Sequence, residues 1–106
     1  MIVYGLKTCD SCRKALKSLP GARLHDVRAD GLPEDVAQAA LAQFGDRLVN
    51  RQSATWRGLD EATRASEPAA LIAAHPAVMK RPLIDADGVL HLGWGRDVQL
   101  ALLGDG

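Results

Sequence analysis

The chain has 106 residues, enough for one domain with a core of its own, and a single domain over residues 1–106 is expected. Hydrophobic residues make up 47% and charged residues 25%, ordinary globular usage that excludes disorder for the body of the chain. Lys plus Arg total 13 and Asp plus Glu total 13, a balance that argues against a chain built mainly to hold nucleic acid.

The N-terminal MIVYGLKTCD has no basic stretch leading into a long apolar run, so no secretory signal is expected. No apolar run approaches the roughly 20 residues of a membrane span, and no membrane partner is expected. The cytoplasm is the expected location. Two cysteines in a reducing compartment point to catalysis or metal binding rather than to a permanent disulfide.

Ile2, Val3 and Tyr4 form a short β-rich run that Gly5 ends, and it reads as a buried strand. A loop through Leu6, Lys7 and Thr8 leads to Cys9 and then to a helical pattern. Asp10, Arg13, Lys14 and Lys17 face water in that pattern, while Ala15, Leu16 and Leu19 turn inward. Thr8 or Asp10 is the expected cap, and Pro20-Gly21 the stop. Leu24 to Val27 reads as a second strand, and Asp30-Gly31 as a turn. Pro33 opens a helix with Val36, Ala39, Ala40 and Phe44 on one face, which Gly45 ends. Residues 47–65 read as short helical pieces and loop. Glu67 to His75 forms a further helix with Pro68 near its start, and a short turn covers Ala77 to Met79.

Pro82 to Asp85, Asp87-Gly88, then Val89 to Leu92 make the clearest hairpin signal in the chain. Val98, Leu100, Ala101 and Leu102 predict a closing helix, with Gly104 to Gly106 frayed beyond it. The order is β-α-β-α, a helical insert, then β-β-α, the element order of a thioredoxin-like fold of the α/β class.

The chemistry centres on Cys9-Asp10-Ser11-Cys12. This C-x-x-C falls after the first strand and at the start of the first helix. Free N–H groups and partial positive charge at a helix N-terminus stabilise a thiolate, and the thiolate is the nucleophile. Lys7, Arg13 and Lys14 add nearby cations. Two intervening residues let the second sulfur reach the first, so attack by Cys9 followed by release through Cys12 is the expected sequence. A structural zinc needs four ligands, and His25, His75 and His91 are isolated, so no metal site is assigned. Cys12 also fits a plain role as a small buried residue on the inner side of the helix.

The segment from Val3 to Arg13, VYGLKTCDSCR, resembles the active-site loop of the arsenate-reductase-like (ArsC) family. His75 to Ile84, HPAVMKRPLI, resembles that family's second hallmark, an Arg-Pro-Ile-type motif. Asn50 to Asp60, NRQSATWRGLD, looks most like the YffB branch, while C-x-x-C followed by Arg13-Lys14-Ala15 is similar to Spx-type regulators. The resemblance implies that Cys9 is the catalytic cysteine, that Arg81 helps hold an oxyanion, and that Pro82 is the cis-proline of the fold. It implies a thiol-dependent oxidoreductase with no bound cofactor, drawing on glutathione or a glutaredoxin-like donor. Lys7, Thr8, Arg13, Arg51 and Pro82 are the candidate substrate-binding residues. The alternatives are an Spx-type redox sensor that binds RNA polymerase, with no direct nucleic-acid contact, and an arsenate reductase. The sequence departs from the arsenate-reductase pattern in three places. Leu6-Lys7 stands where Asn-Pro is usual, Cys12 is present, and the other anion-binding arginines fall near Asn50 and Gly93.

Overall fold

Strand β1 (Ile2–Gly5) lies inside a four-stranded sheet of order β2-β1-β3-β4 in a computed structural model that describes residues 1–104. It pairs in parallel with β2 (Arg23–Asp26), Val3 opposite Leu24, and antiparallel with β3 (Leu83–Ala86), Val3 opposite Ile84. Strand β4 (Val89–Leu92) folds back on β3 through Asp87 and Gly88, whose φ values are 52° and 88°. Two consecutive positive φ values give the hairpin reversal that an Asp-Gly pair favours, and Asp85 Oδ1 accepts the Gly88 N–H at 2.7 Å.

Alternation along the strands divides the core between the two faces of the sheet. Val3 and Ile84 pack with Ala15 and Leu19 at the first helix and Val98 of the last. Tyr4, Leu83, Leu90 and Leu92 face the other way, against Ala40, Leu71, Ile72 and the residues near 78. Helices α1 (Asp10–Ser18) and α7 (Arg96–Leu103) therefore cover one face, and α3 (Glu34–Phe44) and α6 (Pro68–Ala74) the other. This is the mixed sheet flanked by helices expected of the fold.

Several local expectations are corrected. Neither Thr8 nor Asp10 caps α1; Cys9 itself occupies the cap position with extended backbone, φ −80° and ψ 123°. Val27 does not continue β2. Asp26 caps a one-turn helix, α2 (Val27–Asp30), by accepting the N–H groups of Arg28 at 2.9 Å and Ala29 at 3.1 Å. On α3 the buried positions are Ala37 and Ala40, and Ala39 is exposed. The insert holds a 3₁₀ turn (Gly45–Leu48) and the short helices α4 (Ala54–Arg57) and α5 (Glu61–Arg64). Gly104 is not frayed but ends α7 with φ 72°, while Asp105 and Gly106 lie outside the described residues. No helix among the described residues is long and apolar enough to cross a membrane.

Candidate functional site

The loop between β1 and α1 is tied down by backbone atoms of its own. The Cys9 N–H donates to Leu6 O at 3.1 Å, and the Arg13 N–H donates to Cys9 O at 3.0 Å. Arg13 Nε donates to Lys7 O at 2.9 Å, and the Lys7 N–H reaches Asp26 Oδ2 at 3.3 Å. The loop is thereby closed from α1 on one side and from the end of β2 on the other. Lys7, Thr8 and Arg13 are exposed, Cys9 is half-buried, and Cys12 has no solvent exposure.

The two thiols are free and stand in different environments. Burial works against ionisation of Cys9, but the backbone N–H and the S–H of Cys12, together with the Arg81 guanidinium, outweigh it. The net effect holds the Cys9 thiol below its ordinary value. Cys12 goes the other way: burial, reinforced by the neighbouring Cys9, pushes its thiol up to about 12 against the help of the Leu6 backbone. Cys9, the half-buried member, is therefore the thiol that ionises first, while the buried Cys12 retains its proton.

Arg81 arrives from the far end of the sequence, just before a cis peptide bond to Pro82. Its Nη1 donates to Ala77 O and, at 3.5 Å, to Met79 O. Its Nε is buried and has no hydrogen-bond partner among the described residues. The helical insert supports this loop. Asn50 N–H donates to Val78 O at 2.8 Å, Lys80 N–H donates to Leu48 O at 2.7 Å, and Val49 bridges Met79. Pro82 is fully buried, and its carbonyl accepts the Gly93 N–H at 2.8 Å.

Cys9, Cys12 and Arg81 thus converge from two distant segments, and Pro82 follows Arg81 through the cis bond. Arg51 does not join them through any direct bond; its guanidinium stacks over Trp56 at 5.8 Å, with Arg64 on the same ring at 5.6 Å. Lys14 pairs with Asp10 at 3.9 Å on the exposed side of α1. The charge that favours the Cys9 thiolate is that of Arg81, not the cations adjacent in sequence.

Asp26 went unread in the sequence although it holds the Lys7 end of the loop. An aspartate between a strand and a helical turn is a cap signal, and Asp26-Val27-Arg28-Ala29 carries it. No group of three or more His, Cys, Asp or Glu side chains among the described residues stands ready to hold a metal ion. A cavity of about 350 Å³ between α3 and α6, lined by Leu32, Ala37, Ala69 and Ile72, does not touch the cysteines.

Comparisons with known proteins agree with this fold. An uncharacterized protein of Haemophilus influenzae is 43% identical, over 87% of this chain and 89% of its own. The structure of a YffB protein superposes with a TM-score of 0.83 at 32% identity, covering 96% of this chain and 97% of its own. That of an arsenate reductase (ArsC) related protein from Brucella melitensis does so at 0.68 and 30%, covering 96% and 92%. The ArsC family pattern itself matches residues 4–102, a span holding both cysteines and Arg81, and the chain belongs to the ArsC family.

Proposed function

We propose that this protein is a thiol-dependent reductase that acts on mixed disulfides and takes its electrons from glutathione or a glutaredoxin-like thiol donor. The observation that carries the reading is the opposed state of the two thiols: Cys9 favoured as thiolate beside Arg81, Cys12 buried and held as thiol. In the reaction the Cys9 thiolate attacks the glutathione sulfur of a disulfide R–S–S–G. The Cys9–glutathione disulfide forms, the S–S bond of R–S–S–G breaks, and R–S⁻ leaves to pick up a proton. A second glutathione thiolate then attacks that mixed disulfide, giving oxidised glutathione and restoring the Cys9 thiolate. Arg81 offers its charge to the thiolate, and the exposed Lys7, Thr8, Arg13 and Arg51 are the side chains available to a glutathione carboxylate.

Cys12 is the internal alternative to the second glutathione. Its burial, the largest cause of its raised pKa, persists after Cys9 is consumed, so the external thiol has the advantage. Arsenate fits less well. A highly charged oxyanion calls for several convergent donors, and a single guanidinium reaches Cys9.

The test is turnover of a glutathione mixed disulfide with reduced glutathione in excess. The wild-type protein is expected to turn over, Cys9→Ser to lose all activity, and Cys12→Ala to retain part of it. Absence of turnover in the wild type would refute the reading. Recovery of RNA polymerase from cell extract in one redox state only would favour a regulator instead, and arsenate-dependent oxidation of glutathione lost in Cys9→Ser would favour an arsenate reductase.

A further inference from the structure

Gly5 closes β1 directly beneath the first turn of α1. A Cβ built on it would fall on the Cys12 Sγ, and would stand 3.3 Å from the Cys12 Cβ and 3.9 Å from Leu24 Cδ1. No positive φ accounts for this glycine, unlike Gly21, Gly31 or Gly88. It sits within the strand and is buried, where glycine weakens a sheet and usually marks a close approach. The approaching group is a sulfur with zero solvent exposure.

We infer that Gly5 is a positioning residue of the redox site: the space left by its missing side chain is the seat of the Cys12 sulfur, and that seat aims the Cys12 S–H at Cys9. The inference rests on the reading of Cys9 as the reactive thiolate. A cysteine side chain has one rotatable bond to its sulfur, and few of its staggered positions are open inside a packed helix turn. Filling the seat displaces the sulfur, and rotation about that bond carries the S–H away from Cys9. The Cys12 S–H is one of the groups that favour the Cys9 thiolate, so Gly5 acts on Cys9 only through Cys12. Gly5 makes no contact with substrate in this scheme.

The experiment compares wild type, Gly5→Ala, Cys12→Ala and the double variant. The rate of Cys9 alkylation by iodoacetamide is followed against pH, with the modified residue identified by mass. Gly5→Ala is expected to move the alkylation midpoint upward and to slow the reaction about tenfold below that midpoint, the size expected for loss of a hydrogen bond to a charged group. In the Cys12→Ala background the same substitution is expected to change nothing, because the added methyl occupies space the sulfur has vacated. A general disturbance of the strand would lower thermal stability in both backgrounds without this dependence on Cys12.

A Gly5→Ala midpoint equal to that of wild type overturns the inference, and so does a further upward movement in the double variant. If Gly5→Ala does not fold, the double variant decides. Folding with the Cys12→Ala midpoint supports the seat, and failure to fold overturns it. An ordinary thiol midpoint in the wild type itself would instead sink the thiolate reading on which the inference rests.

Discussion

Replacing Arg81 by Met keeps the length of the side chain and removes the guanidinium, so reactivity and stability move apart. The stability terms nearly cancel. Loss of the bonds from Nη1 to Ala77 O and Met79 O costs about 1 kcal/mol each. The buried Nε without a partner carries a desolvation penalty of about 1–3 kcal/mol, which the substitution relieves. Below the Cys9 midpoint, where the thiolate adds little to stability, the net change is expected to stay within about 1 kcal/mol, a few degrees in Tm for a domain of this size. Cys9 has no such compensation. It loses a charge-assisted partner worth on the order of 1.5 kcal/mol, about a tenfold fall in alkylation rate below its midpoint. The assays are iodoacetamide kinetics against pH and thermal melting on the same preparation. A melt lowered by the equivalent of about 3 kcal/mol with unchanged Cys9 kinetics would show that Arg81 only braces its own loop, and the reasoning would fail.

The pH dependence of stability follows from the opposed thiols. Cys9 is depressed in the native state, so its contribution accrues as pH rises toward the ordinary thiol value and is retained above it, and is lost on acidification through its native pKa. Cys12 is raised, so the unfolded chain releases that proton first, and stability falls as pH climbs past the ordinary thiol value toward about 12. At pH 9.5 this amounts to about 1 kcal/mol, and urea denaturation at neutral and alkaline pH should show it shrinking in Cys12→Ala. Tyr4, also raised by burial, is common to both proteins and drops out of the difference. Asp26→Ala removes the cap of α2 and the anchor of the Lys7 N–H together. An expected loss of about 1 kcal/mol in urea denaturation, with faster hydrogen exchange at the Lys7 amide, would be contradicted by an exchange rate equal to wild type.

Much of this arrangement was legible in the sequence because local physics specified it. The Asp87-Gly88 reversal, the C-x-x-C at a strand-to-helix junction and the Pro20-Gly21 stop each depend on a few neighbouring residues, and each stands where expected. Cap identity was not so determined. Thr8, Cys9 and Asp10 compete for one position, and the Cys9 N–H bond to Leu6 O decides it. Val27 is β-branched and follows a strand, so its propensity points to more strand; Asp26 wins by offering one carboxylate oxygen to two N–H groups. Ala37 and Ala39 differ only in which side of α3 meets the sheet, and two alanines give no polarity to distinguish them. The charge beside Cys9 was harder still. Lys7, Arg13 and Lys14 are its sequence neighbours, and only the path of β3 through the sheet brings Arg81 to the same corner.

A C-x-x-C spacing by itself specifies that two sulfurs share one helical turn, and says nothing about which faces water. That is settled by how α1 lies on the sheet. The first cysteine, at the cap, is half-buried, whereas the second is one turn further on and pressed into the strand at Gly5. Desolvation therefore acts on the two thiols unequally, and the proton left on Cys12 becomes a donor to the charge on Cys9. The same burial that makes Cys12 a good donor makes it a poor nucleophile, since its thiolate would form without water around it. Tuning Cys9 and resolving a disulfide on Cys9 thus place contrary demands on one sulfur. The inferred Gly5 seat favours the first, which supports the proposal that an external thiol carries out the second step.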